Sequence, residues 1–101
     1  MRIQFERTGG FMGMHLEVEV LTETLSPAEA DELETLIDGA HFFDLPPVLK
    51  PPTEGADRFQ YKLTVEKGDQ FHTVETSESA SSEQLQLLIE RLTVVARSQR
   101  L

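Results

Sequence analysis

The sequence predicts an α+β fold of order ββαββα, with a mostly antiparallel four-stranded sheet covered on one face by two helices. Two observations carry this. Four runs alternate apolar and polar residues with period two, and each pair of runs is followed by a segment with apolar residues at helical spacing. One-sided strands and one-sided helices can bury their apolar surfaces only against each other, which gives two layers. At 101 residues the chain exceeds the roughly 70–80 residues below which a core needs disulfides or metals. A single domain over residues 1–101 is therefore expected.

Arg2-Ile3-Gln4-Phe5-Glu6-Arg7 alternates strictly, with Ile3 and Phe5 on one face. Thr8-Gly9-Gly10 marks a reversal. The next run places Met14, Leu16, Val18 and Val20 on one side and His15, Glu17 and Glu19 on the other, a strand from about Met12 to Leu21. The two runs form a hairpin whose tip holds Phe11, Met12 and Gly13, where no pattern obliges burial.

Ser26-Pro27-Ala28-Glu29 is a helix start: Ser26 as N-cap, Pro27 at the first helical position, and Glu29 placed for a capping box. Leu33, Leu36, Ile37 and Ala40 continue the apolar stripe from Ala30, and Gly39 suits the exit. Glu29, Asp31, Glu32, Glu34 and Asp38 crowd the outer face without Lys or Arg nearby in the sequence, which weakens the helix. His41-Phe42-Phe43-Asp44-Leu45-Pro46-Pro47 then reads as a plug pinning the helix end to the sheet, since each of two adjacent aromatics carries a large apolar surface to bury. Pro46, Pro47, Pro51 and Pro52 make residues 44–56 a loop without ladder bonds, with Val48-Leu49-Lys50 held extended between them.

Phe59, Tyr61, Leu63 and Val65 define a third strand, and Lys67-Gly68-Asp69-Gln70 a tight turn. Pairing Lys67 with Gln70 sets Val65 opposite His72 and Leu63 opposite Val74 on the core face. It also leaves Phe71 beside Glu66 on the other face, against the pattern. After a Ser/Glu-rich link, Ser81 or Ser82 caps a last helix whose buried stripe is Leu85, Leu88, Ile89, Leu92, Val95 and Ala96. Leu87 and Val94 fall off that stripe. Gln4, His15, Glu17, Glu19, Gln60, Lys62, Thr64 and Thr73 occupy the solvent face of the sheet.

Charge narrows the function. The net charge is −9, which repels phosphate backbones and makes nucleic acid a poor partner. There is no cysteine, so no thiolate metal site or cysteine nucleophile, in agreement with a reducing compartment. The start of the chain lacks a signal-like apolar run, and no stretch approaches the roughly 18 apolar residues of a membrane span. Cytoplasmic location and no membrane association are expected.

The chemistry-bearing residues do not assemble a site. His15, His41 and His72 lack metal-ligand spacing and lie on different faces or ends of the expected fold. Glu17 and Glu19 share a strand face, but an open sheet gives no dry cleft to raise a carboxyl pKa. Neither a nucleophile elbow nor a phosphate loop is present. The chain is expected to be no enzyme and to use no cofactor. Recognition remains, through the hairpin tip, the proline-flanked segment or an unpaired outer strand.

Met1-Arg2-Ile3-Gln4-Phe5-Glu6-Arg7-Thr8-Gly9-Gly10-Phe11, Phe42-Phe43-Asp44-Leu45-Pro46, Asp57-Arg58-Phe59-Gln60-Tyr61 and His72-Thr73-Val74 before a Leu-rich helix together resemble the emfourin family. The resemblance spans nearly the whole chain. It implies a small, non-enzymatic, cytoplasmic bacterial protein that inhibits protealysin-like metalloproteases of the thermolysin class, whose zinc belongs to the target. The expected partner is such a protease, with its active-site cleft blocked. The expected contact is Gly9, Gly10, Phe11, Met12 and Gly13 plus Val48, Leu49 and Lys50, with Phe11, Met12 or Leu49 filling an apolar pocket beside the zinc. The tip has no carboxylate at its apex, which argues against zinc ligation by Glu6 or Glu17 and for plain blockage. The alternative is a non-inhibitory interaction module or a weak homodimer through an edge strand or the solvent face.

Overall fold

The computed structural model describes residues 1–9, 14–49, 59–78 and 80–99. Its elements run β1 (Arg2–Gly9), β2 (Met14–Leu21), α1 (Pro27–Gly39), β3 (Phe59–Lys67), β4 (Gln70–Ser77) and α2 (Glu83–Gln99), with short 3-10 turns at Thr22–Thr24 and Phe42–Asp44. The four strands form one sheet of order β2-β1-β3-β4, antiparallel throughout. Both helices lie on one face, as the alternation requires.

The core is the meeting of the two apolar faces. Ile3, Phe5, Leu16, Val20, Leu63, Val65 and Val74 come from the sheet; Leu33, Ile37, Ala40, Leu85, Leu88, Ile89, Leu92, Val95 and Ala96 come from the helices. Every residue of the expected α2 stripe is buried, and each fully buried Leu, Ile or Phe stabilises the fold by about 1.5–3 kcal/mol. Register follows from the second hairpin. Gly68 has φ 59, while Asp69 does not share a positive φ, which is the II′ arrangement with glycine at its first central position. Lys67 pairs with Gln70, Val65 with His72 and Leu63 with Val74, as the alternation predicts. Phe71 stands opposite Glu66 on the solvent face, 67% exposed.

Both helix starts are capped by serine. The Glu29 amide donates to Ser26 Oγ at 3.2 Å, and the Leu85 amide to Ser82 Oγ at 3.2 Å. The expected box is modified at α1: the Glu29 carboxylate accepts from the Ser26 hydroxyl at 2.9 Å. Gly39 is the last helical residue, and the left-handed exit falls on His41, φ 50. That turn drops Phe42 into the core, where it meets Phe43 edge-to-face at 5.8 Å and His72 at 5.7 Å. His72 Nε2 donates to the Leu45 carbonyl at 2.7 Å, fastening the plug to β4.

Two expectations are corrected. The acidic face of α1 has distant cations after all: Lys67 reaches Glu34 and Arg91 reaches Glu32, each at 3.1 Å. The proline-rich loop also makes a short ladder. Val48 forms a parallel bridge to Glu75, with the Leu49 amide donating to the Glu75 carbonyl and the Glu75 amide to the Pro47 carbonyl, both at 2.8 Å. Pro47 contributes only its carbonyl, so its missing amide costs nothing at this sheet edge. At the other end of the sheet, the Met1 ammonium bonds the Glu23 carboxylate and lowers its pKa. No helix among the described residues is long and apolar enough to cross a membrane.

Candidate functional site

The β1–β2 hairpin closes on the pair Gly9↔Met14, leaving residues 10–13 to join the strands. Gly9 has φ 105, a conformation L side chains rarely adopt, so glycine is required where the chain leaves β1. Gly10, Phe11, Met12 and Gly13 lie outside the described residues, as does Lys50. Val48 is half exposed, and Leu49 packs partly against the core. The Val48 segment borders β4, whereas the hairpin occupies the β2 side of the sheet. Strands β2 and β4 are three spacings of about 4.8 Å apart. Of the expected contact residues that are described, Gly9 therefore ends the interior strand β1, whereas Val48 and Leu49 lie beside β4 at the sheet edge.

On the solvent face the register sets Glu6 opposite Glu17, with His15 two residues from Glu17. His15 Nε2 lies 3.4 Å from Glu6 Oε1 and 3.8 Å from Glu17 Oε2. One ligand atom from each residue falls within a 4.8 Å span. An imidazole between two carboxylates is an ion-pair network when protonated, and at this exposure it stabilises little. The sequence named Glu6 beside Glu17 only as a doubtful ligand for the target's zinc; the hairpin pairing that sets it opposite Glu17 and near His15 is a property of the register. Glu19 shares the strand face with Glu17, as the alternation predicts, and accepts from the Arg2 guanidinium at 2.9 Å. His41 and His72 are elsewhere, on the helix exit and the helix-covered side.

Open depressions also lie elsewhere on the described surface. A groove of about 510 Å³ separates the start of β3 from the first turns of α2 and is lined by Phe59, Tyr61, Ser81, Gln86, Ile89 and Glu90. The Arg7 guanidinium sits 4.8 Å over the Phe59 ring beside it. Across the helices, Glu32, Leu36, Leu87, Glu90, Arg91 and Val94 line a shallower hollow, with Leu87 and Val94 each 49% exposed. Neither gathers the nucleophile, base and oxyanion donors that a reaction needs. The surfaces are suited to contact with another protein.

A comparison with curated proteins returns no significant match. The family model for emfourin matches residues 5–93, from the middle of β1 to well inside α2. It thereby takes in all four strands, the aromatic plug and α1. The chain belongs to the emfourin family, the non-catalytic bacterial inhibitors of protealysin-like metalloproteases, and its partner is a protease of the thermolysin class.

Proposed function

We propose that the protein inhibits its metalloprotease by occluding the active-site cleft with the β1–β2 hairpin tip. The observation that carries this reading is the pair Gly9↔Met14, which leaves a four-residue connection containing Phe11 and Met12. Those side chains are apolar anchors of the size that fills a hydrophobic specificity pocket. Gly9, Gly10 and Gly13 let the backbone approach a cleft wall closely. Val48 and Leu49, which lie beside β4, together with Lys50 form a second contact in this reading, with Val48 an exposed side chain. No carboxylate is supplied at the apex, so inhibition proceeds without zinc ligation by Glu6 or Glu17.

The protein acts in this reading as a single domain in the cytoplasm. The lack of cysteine agrees with a reducing compartment. The second reading, a homodimer or adaptor, draws on the exposed Leu87 and Val94 of α2. Substitution separates the two. Phe11→Ala and Met12→Ala each weaken inhibition by on the order of tenfold or more if they are pocket anchors. Unchanged inhibition by both variants eliminates the tip, and inhibition lost only in Leu87→Ser or Val94→Ser moves the contact to α2.

A further inference from the structure

We infer that the outer edge of β2 is the backbone docking rail of this protein: it accepts an extended segment of the metalloprotease as a fifth antiparallel or parallel strand, with a basic side chain of that segment facing Glu17. The inference rests on the inhibitory reading above and names the surface that delivers it.

The direction of each backbone group follows from alternation. In an antiparallel pair, successive residues turn their amide and carbonyl alternately toward and away from the partner strand. Lys67 and Gln70 flank a two-residue turn and so face each other, as do Val65 with His72 and Leu63 with Val74. Residues 62, 64 and 66 of β3 then face β1, which leaves Ile3, Phe5 and Arg7 facing β2. Their partners Val20, Val18 and Leu16 face back. Hence His15, Glu17, Glu19 and Leu21 direct their backbone groups outward. Three bonds check this parity independently. The Thr22 amide donates inward to the Met1 carbonyl at 3.0 Å, and Thr24 Oγ1 donates to the outward Leu21 carbonyl at 2.7 Å. On the opposite edge, the Glu75 carbonyl accepts from the Leu49 amide at 2.8 Å.

The two edges are thus treated differently. The 47–49 segment covers part of β4, and Thr24 caps the end of β2, but no element among the described residues pairs with His15, Glu17 or Glu19 along their outer side. Natural sheets usually blunt such an edge, because it templates pairing with another chain. Here six backbone groups remain on three residues, enough to hold about five residues of an extended peptide. In the chain, the rail leads directly into the hairpin connection.

Charge selects the occupant. A second copy paired antiparallel about Glu17 would set Glu17 against Glu17 in chains that each carry −9, and directly opposed like charges destabilise a pair. Around the rail, Arg2 is committed to Glu19, and His15 lies between Glu6 and Glu17. Glu17, 70% exposed at its side chain, has no Lys or Arg in ion-pair contact among the described residues. A Lys or Arg on the incoming strand completes it.

The test uses the purified protein, a protealysin-like metalloprotease that it inhibits, and two variants. Glu17→Pro removes an outward amide, a position where an edge strand tolerates proline, and Glu17→Lys reverses the charge. Unchanged far-ultraviolet circular dichroism and thermal unfolding are required of each. Inhibition weakened by about tenfold or more in both, with the His15, Glu17 and Glu19 amides protected from hydrogen exchange only in the complex, supports the rail. Full-strength inhibition by both folded variants, or no added protection of those amides, overturns it while the tip reading stands. Sedimentation showing a wild-type dimer that Glu17→Pro dissolves also overturns it, since a second copy would then be the occupant. Failure of the wild-type protein to inhibit is a different result, and removes the parent reading. Should a folded variant prove unobtainable, the exchange measurement on the wild-type complex decides alone.

Discussion

His72 shows how a single side chain can serve the fold where its residue type suggests chemistry. Its ring stands on the helix-covered side of β4, bonded to the Leu45 carbonyl and edge-on to Phe42. Replacing it by alanine leaves that carbonyl unpaired and opens space beside the ring. His72→Ala is therefore expected to lower stability by about 1–3 kcal/mol, measured by urea unfolding. His41 is the opposite case: an exposed residue held at φ 50 with no side-chain capping bond among the described residues. A left-handed conformation costs an L residue about 1–2 kcal/mol, part of which glycine gives back through its greater freedom in the unfolded chain. His41→Gly should raise stability by up to about 1 kcal/mol, read from the same unfolding curves. At this scale the sequence was legible where burial followed period, as with the α2 stripe, or where large aromatics stood side by side, as with Phe42. It was silent on His41, because the glycine two residues earlier offered the usual helix exit and tertiary packing of the plug chose otherwise.

Among the elements, the caps and the turn were readable because their chemistry is local. Ser82 accepts the Leu85 amide, so Ser82→Ala should cost about 1 kcal/mol, with thermal unfolding as the check. Gly68 has open space around its missing side chain, yet its φ of 59 strains any other residue. Gly68→Ala is expected to lose about 1–2 kcal/mol, a loss that the absence of any steric contact assigns to the backbone alone. What local reasoning missed was supplied from far along the chain. Arg91 and Lys67 lie more than thirty positions from the carboxylates they meet on α1. The Val48 bridge needed β4 to be in place before an extended proline-flanked segment had anything to pair with. The same limit hid the β2 edge: an alternating run announces a strand, but its neighbours in the sheet are fixed only by the whole topology.

For the molecule as a whole, the apolar side chains of four strands and two helices enter one core, and the remaining distinctive features lie on the hairpin side, on the solvent face and along α2. The ββαββα order and the two-layer plan followed from hydrophobic periodicity. The contact with the protease did not, because binding surfaces obey no period, and of the segments suggested by sequence the described residues lie apart, Gly9 at the end of interior β1 and Val48 beside β4. The account places inhibition at the cleft, reached through the hairpin. Titration of a protealysin-like metalloprotease with the purified protein, following cleavage of a short peptide substrate together with complex size, tests this most directly. The account predicts that activity falls to the baseline as a one-to-one complex forms, and that an active-site-directed small inhibitor slows formation of that complex. A one-to-one complex that retains full peptide-cleaving activity would contradict it.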